Sequence, residues 1–261
     1  MTMDLSWLNN ITTFVAESAA ETTVLILMGG GFVIGALSVV LGGGMFFSVP
    51  LMQWLFPGVT FGAIVGNIKM GSLFRSIGST FSTHEHIEYR RNFGIVVLAV
   101  LGTVFGAMLI SHLSQIWLLP AILFAILIVE LAPRFAHLIT NRTFHVASFL
   151  AGLYAGTFSA GIGIMLVALV RLKHSEDTSI AHVKVQARFV EFLLTIVAVL
   201  THSFLGNLIP SIWIPWAIGS IAGGIVGGLL LSRMTTLSGK IQKAILRASY
   251  VVTVLTAWGS T

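Results

Sequence analysis

Apolar residues run through this chain in blocks that polar residues punctuate rather than alternate with. The blocks cover roughly residues 23–56, 57–83, 93–111, 115–132, 146–170, 185–205, 211–232 and 241–258. Most are long enough to cross about 30 Å of hydrocarbon at 1.5 Å per helical residue, so the pattern predicts membrane-spanning helices. Their near-continuity excludes a porin, whose strands alternate apolar and polar positions. Ahead of the first block, Leu5, Leu8, Ile11 and Val15 share one helical face, which predicts a short helix lying at the membrane surface. That segment carries Asp4, Glu17 and Glu21 but no Lys or Arg, so it lacks the basic start of a cleavable signal.

Composition sharpens this picture. Of 261 residues, 56% are hydrophobic and 9% charged, against about 25% charged in soluble domains. No cysteine is present, which excludes a disulfide framework, a cysteine-held cluster and a thiol nucleophile. The net charge of +5 points to membrane topology rather than to nucleic acid, because of where the cations lie. Ten of the fourteen Lys and Arg fall at residues 90–91, 134–142, 171–184 and 233–243, while Lys69, Arg75, Arg188 and Arg247 lie inside apolar blocks.

Two blocks are interrupted by helix breakers, at "GGGMFFSVP" (42–50) and at "SAGIG" (159–163). The interruptions belong to a repeat. At an offset of 119 residues Ala36 meets Ala155, Ser38 meets Thr157, Gly42 and Gly44 meet Gly161 and Gly163, Asn67 meets Gln186, and Lys69 meets Arg188. Glycine and intramembrane cation are 27 residues apart in both copies. Shifting by two residues, Gly102 and Gly106 also meet Gly223 and Gly227.

Positive charges favour the cytoplasmic side. A single crossing by residues 146–170 would put its two basic flanks on opposite faces; entry, a break at "SAGIG" and return would not. The expected fold is therefore an all-α polytopic membrane protein of two inverted repeats, each a broken re-entrant hairpin plus three transmembrane helices. Residues 1–22 form an extracytoplasmic interfacial segment, 23–132 repeat 1, 133–145 a cytoplasmic linker and 146–261 repeat 2, with both termini periplasmic. Residues 23–41 alone are long enough to cross, so the arms of the first hairpin are unequal.

A helix restarting after a break turns free N–H groups and the positive end of its dipole inward, which suits an anion. Gly43, Gly44 and Met45 in one copy, and Gly163 and Ile164 in the other, are the candidate backbone donors. Lys69 and Arg188 are candidate charge ligands, since a central cation costs about 2.5–3.5 kcal/mol on insertion scales unless it faces protein or a water-filled cavity. The alternative for Arg188 is neutralisation by Glu191, three residues on. Asn67, Gln186 and Ser72 offer polar side chains for anion oxygens, or interhelical hydrogen bonds instead. Arg75, about 9 Å beyond Lys69, attracts anions to the entrance or snorkels. Glu191, a buried carboxyl, is the candidate for proton coupling, and Arg75 for gating. "HEH" (84–86) resembles a metal-ligand fragment without a defining geometry and reads as a solvated basic loop; no metal and no cofactor are expected. There is no "HExxH", Walker A, "GxSxG" or membrane aspartate pair, so an enzyme is not expected.

The pieces "LGGGMFFSVPLM" and "VGNIKMGSLF", and in the second copy "SAGIGIMLVAL" and "VQARFVEF", resemble the duplicated glycine-rich break and Gly-Thr-Ser-Lys-like motif of the sulfite exporter TauE/SafE (TSUP) family. The resemblance covers about residues 30–258. It implies export of a sulfur oxyanion such as sulfite, sulfoacetate or another sulfonate across the bacterial inner membrane. Matched residue by residue, it implicates Gly66, Asn67, Lys69, Gln186 and Arg188. The chain departs from the pattern at Asn67 and Ile68, at Gln186 and Ala187, and at Glu191. The expected function is an alternating-access exporter binding its anion between the repeats. An anion channel and a scaffold or sensor subunit are the alternatives. Expected partners are the small anion, membrane lipid and, in a homodimer, a second copy, but no nucleic acid.

Overall fold

Hydrocarbon offers no water to backbone amides, so each segment that enters it must satisfy its own N–H and C=O groups. The chain does so with helices. The computed structural model describes residues 6–41, 43–81, 88–114, 117–135, 138–174, 178, 180–233, 247–248, 250–251 and 254–255. These residues form α1 (Ser6–Leu41), α2 (Met45–Leu55), α3 (Phe61–Phe81), α4 (Tyr89–His112), α5 (Leu118–Phe135), α6 (Phe144–Thr157), α7 (Ile162–Arg171), α8 (Ile180–Phe204) and α9 (Pro210–Arg233). Among the described residues, the stretches Ala20–Val39, Asn92–His112 and Pro210–Leu230 are long and apolar enough to cross a membrane. By contrast α2 and α7, with 11 and 10 residues, reach only ~15–17 Å.

One expectation is corrected at the N-terminus. Residues 6–22 do not form a separate surface helix but run straight into the first apolar block as one helix of 36 residues. No glycine or proline stands between Ser6 and Met28 to end it, and the surface-facing periodicity is simply one end of a longer rod.

Among the described residues, large apolar side chains lie on the outside as well as in the core, while several polar ones are buried. Along α4, Phe93, Val97, Leu101, Phe105 and Leu109 are exposed at four-residue spacing, whereas Asn92 and Thr103 are fully buried. Such a stripe suits lipid rather than water.

Small residues set the packing. A Cβ at Gly102 or Gly106 would fall on backbone of Phe149 or Leu153 in α6, and one at Gly152 or Gly156 on the carbonyls of Ala99 or Thr103 in α4. The same interlock joins α1 to α9, where Gly31 and Gly35 meet Trp216 and Ser220 while Gly219 and Gly223 meet Met28 and Phe32. In both pairs residue numbers rise together, so α4 runs parallel to α6 and α1 to α9. Gly71 lies against Trp216, and Gly224 against Arg75, which makes α3 parallel to α9. On α8, however, Gly66 meets His202 whereas Arg75 and Ser76 meet Arg188 and Glu191; α3 and α8 are antiparallel. The helices α4 and α8 start together, through Glu88 and Gln186, and end together, through Ser111 and Asn207. Hence α1, α3 and α9 run one way and α4, α6 and α8 the other.

Candidate functional site

Both interruptions form where glycine permits a backbone that other residues resist. Gly43 has φ +69 and Gly161 φ +70, and Ser159 joins them at φ 50. After the first break the chain folds back along α1, since a Cβ at Gly30 would press on the Leu51 side chain of α2. After the second, α7 returns to the level at which α6 began: Lys173 Nζ lies 4.1 Å from the centre of the Phe144 ring. The two breaks meet in the interior, where Phe46 and Phe158 pack with ring centres 5.9 Å apart.

The restart of α7 differs from expectation by half a turn. It begins at Ile162, whose N–H bonds Ser159 O at 3.3 Å, so Gly163 and Ile164 are already inside its first turn. The left-handed residues Ser159 and Gly161 close the turn sooner than the repeat alignment suggests. In the first copy α2 begins at Met45, as expected. Its local bonds start with Phe46 N–H to Gly43 O at 3.0 Å, and the N–H groups of Gly44 and Met45 precede them.

At this first break lies a small polar cavity of ≈ 70 Å³, lined by Ser38, Val39, Arg75, Ser76, Arg188 and Glu191. Three elements converge there: the last turn of α1, the second half of α3 and the middle of α8. Gly44 lies next to two of its wall residues, since a Cβ there would collide with Ser38 Oγ and stand 3.1 Å from Arg75 Nη1. Ser38 Oγ donates to Ile34 O at 2.5 Å, leaving its oxygen lone pairs toward its surroundings. Among the described residues no ion pair joins Glu191 to Arg188 or Arg75. Two guanidiniums and one carboxylate thus leave a net positive charge in the cavity. A second, larger cavity of ≈ 840 Å³, bounded by Leu113, Phe124, Ile128, Leu150 and Met165, is apolar and offers nothing to pair with a charge.

Arg75, Arg188 and Glu191 are therefore brought together, but the other sequence candidates are not. Lys69 is only 2% exposed, and its Nζ donates to Ala155 O. That carbonyl belongs to the last turn of α6, whose final carbonyls lack helical partners and carry the negative end of the dipole. Lys69 thus caps the second broken helix. Arg188, its repeat equivalent, is exposed and lies beside Ser38 and Val39, in the last turn of α1.

The two amides are committed to partners within the protein, Asn67 to backbone and Gln186 to backbone and side chains. Asn67 Nδ2 donates to Ala63 O at 2.6 Å and to Asn207 O at 3.3 Å, while its Oδ1 accepts from Ile209 N–H at 3.0 Å. Gln186 Oε1 accepts from Glu88 N–H at 2.9 Å and from Asn92 Nδ2 at 2.8 Å. Each amide therefore receives the chain just ahead of a helix contributed by the other half, α9 for Asn67 and α4 for Gln186. The interhelical reading of these residues holds, and neither lines the cavity. Gly66 is the close-packing position beneath this joint, where a Cβ would sit 3.0 Å from Asn207 O. Ser72 lies on α3 between Lys69 and Arg75 and does not line the cavity; around a Cβ at Gly163 there is open space.

Sequence reasoning missed Ser38 and Ser76 as wall residues. Ser38 was visible as the partner of Thr157 in the repeat, and Ser76 as the neighbour of an intramembrane arginine. It also missed Asn207, which matches Glu88 at the same 119-residue offset. Arg247, the fourth cation inside an apolar block, forms a forked pair with Glu130, Nη2 to Oε2 at 2.8 Å and Nε to Oε1 at 3.2 Å. "HEH" at 84–86 lies outside the described residues.

The family model described as "Sulfite exporter TauE/SafE" matches residues 27–257. No curated protein and no solved structure matches the chain.

Proposed function

The chain belongs to the sulfite exporter TauE/SafE family, a family of sulfur-anion exporter-type membrane transporters, and we propose that it exports a sulfur-containing oxyanion, sulfite or an organosulfonate, by alternating access. The observation that carries this reading is the polar cavity at the first helix break, with Arg75 and Arg188 on its wall. Planar guanidiniums donate in pairs to oxyanion oxygens. Ser38 and Ser76 add hydroxyls, and the start of α2 adds N–H groups and its positive dipole end. The cavity holds a few waters, a volume suited to an SO₃ head. Its net positive charge matches a monovalent anion, and Glu191 is the group through which a proton would couple. A negative cell interior favours efflux by about 2.3 kcal/mol per charge per 100 mV.

Two inverted repeats with re-entrant hairpins supply the moving parts. Exchanging α1 with α6, α3 with α8 and α4 with α9 preserves the packing partners and reverses every direction, which supports inversion. The return of Lys173 to Phe144, and of Leu51 to Gly30, supports re-entry. In this arrangement the protein is a multi-pass protein of the inner membrane with periplasmic termini.

The test is flux of radiolabelled sulfite and sulfoacetate in proteoliposomes. Arg75→Ala and Arg188→Ala should each abolish flux while purifying as folded protein, and unlabelled anion on the far side should accelerate exchange. Unchanged flux in both variants would remove the cavity from the pathway. Currents far above carrier turnover, without exchange stimulation, would make the protein a channel.

A further inference from the structure

Away from the cavity, where α4 and α8 begin and α7 ends, Glu88, His174 and His182 bring one ligand atom each to within 4.8 Å of one another. They come from three separate pieces of chain: the residue ahead of α4, the turn after α7 and the first turns of α8. Local bonds hold the turn. His174 N–H bonds Arg171 O at 3.2 Å, and the Arg171 guanidinium bonds Thr178 O. His174 is buried against the edge of the His182 ring, with centres 5.6 Å apart, while His182 and Glu88 remain partly open to solvent.

One ring nitrogen of His182 has two neighbours that ask opposite things of it. Gln186 Oε1 is occupied by Glu88 N–H and Asn92 Nδ2, which fixes Gln186 Nε2 as the donor 3.0 Å from His182 Nε2. The same ring nitrogen stands 2.9 Å from Glu88 Oε1. One nitrogen cannot accept from an amide and donate to a carboxylate at once. A cation held by Glu88 Oε1 and the His182 Nε2 lone pair gives carboxylate and imidazole one shared positive partner, provided the Gln186 amide turns its N–H groups from the ring nitrogen to the carboxylate. The amide of Gln186 becomes an outer donor that orients the ligands.

We propose that Glu88, His174 and His182 form a binding site for a divalent transition metal ion, Zn²⁺ being the best match, that braces the starts of α4 and α8 against the end of α7. Two histidines and a carboxylate are a zinc donor set with a fourth position left for water. Bonds of about 2.0–2.1 Å require the widest ligand separation to close by roughly an ångström and the Glu88–His182 pair to open slightly, movements that ring and carboxylate rotation provide. The proposal is independent of the anion site, because none of these residues lines that cavity.

The experiment uses the purified full chain, stripped with chelator, titrated with Zn²⁺ by calorimetry and followed by thermal unfolding. One ion per chain at micromolar affinity or tighter is expected, with a higher Tm in zinc. His174→Ala and His182→Ala should weaken binding at least tenfold and remove the Tm response. Gln186→Ala should weaken it by about tenfold as an outer-shell change, and His112→Ala should leave it intact. Should an alanine variant unfold, Glu88→Gln keeps the shape and removes the charge, and the same loss is expected. Absence of zinc binding, or binding unchanged in the His174 and His182 variants, would overturn the site. Binding lost only when His84 and His86 are replaced would overturn it too, by assigning the ion to that loop.

Discussion

A cation inside a membrane protein needs a negative partner, and the sequence does not say which. Lys69 had two within reach, a bound anion and the carbonyl end of a broken helix, and the structure gives it Ala155 O. Arg75 and Arg188, with longer planar heads, reach the cavity instead. Lys69→Met should therefore act mainly on stability. It leaves a buried carbonyl unpaired, a loss of about 1–3 kcal/mol, read as a lower Tm in detergent, with flux per folded molecule falling less than in Arg188→Ala. A flux defect as complete as that of Arg188→Ala, at unchanged Tm, would return Lys69 to the substrate. Glu191 offers a second test at this scale. Removing its charge leaves two guanidiniums unopposed, so Glu191→Gln should shift preference from monovalent sulfonates toward divalent oxyanions by more than tenfold in competition assays. An unchanged preference would mean that the carboxylate does not sense the anion. That Arg75, Arg188 and Glu191 mattered was legible, because charges in apolar blocks are expensive. That Asn67 and Gln186 serve as joints was not, because an amide reads the same whether it meets a ligand or a backbone.

At the scale of elements, the breaks were legible from the repeat and not from glycine alone: the glycines at 29–31 and 223–224 lie in the unbroken α1 and α9, whereas Gly42 and Gly161 recur 27 residues before a cation. The precise turns of the breaks were not, since Ser159 adopts a positive φ that no local pattern signals. The glycine interlocks follow the same logic. Gly102 and Gly106 were visible as a repeat, and their partners Gly152 and Gly156 match Gly31 and Gly35 at the same offset of 121, but repetition does not say which glycines face each other. Two alanine substitutions separate close packing from idle space. Gly106→Ala puts a methyl onto backbone of α6 and should lower the Tm or prevent assembly. Gly163→Ala meets open space and, with alanine the better helix former by up to about 1 kcal/mol, should be neutral or stabilising. Equal effects from the two would mean that the α4 and α6 helices are not in contact through these glycines.

The whole molecule rests on how often the chain crosses the membrane, which helix lengths alone leave ambiguous because α6 and α7 together hold enough residues for one crossing. In the sequence, charge distribution argues that residues 134–142 and 171–184 share a face. The packing supports the same answer independently, since Lys173 stacks on Phe144 and His174 sits beside His182 at the start of α8. The absence of native cysteine makes the question directly measurable. Single cysteines replacing Arg142 and Lys173 should react with a membrane-impermeant maleimide from the same side, the cytoplasmic one, in sealed vesicles of known orientation. Reaction from opposite sides would turn α6 and α7 into one interrupted crossing, cancel the inversion of the two halves, and leave the meeting of Phe46 with Phe158 as packing between two ordinary spans. Reaction from one side would leave two re-entrant hairpins of unequal depth meeting at Phe46 and Phe158, the arrangement that the proposed transport through the cavity beside Gly44 requires.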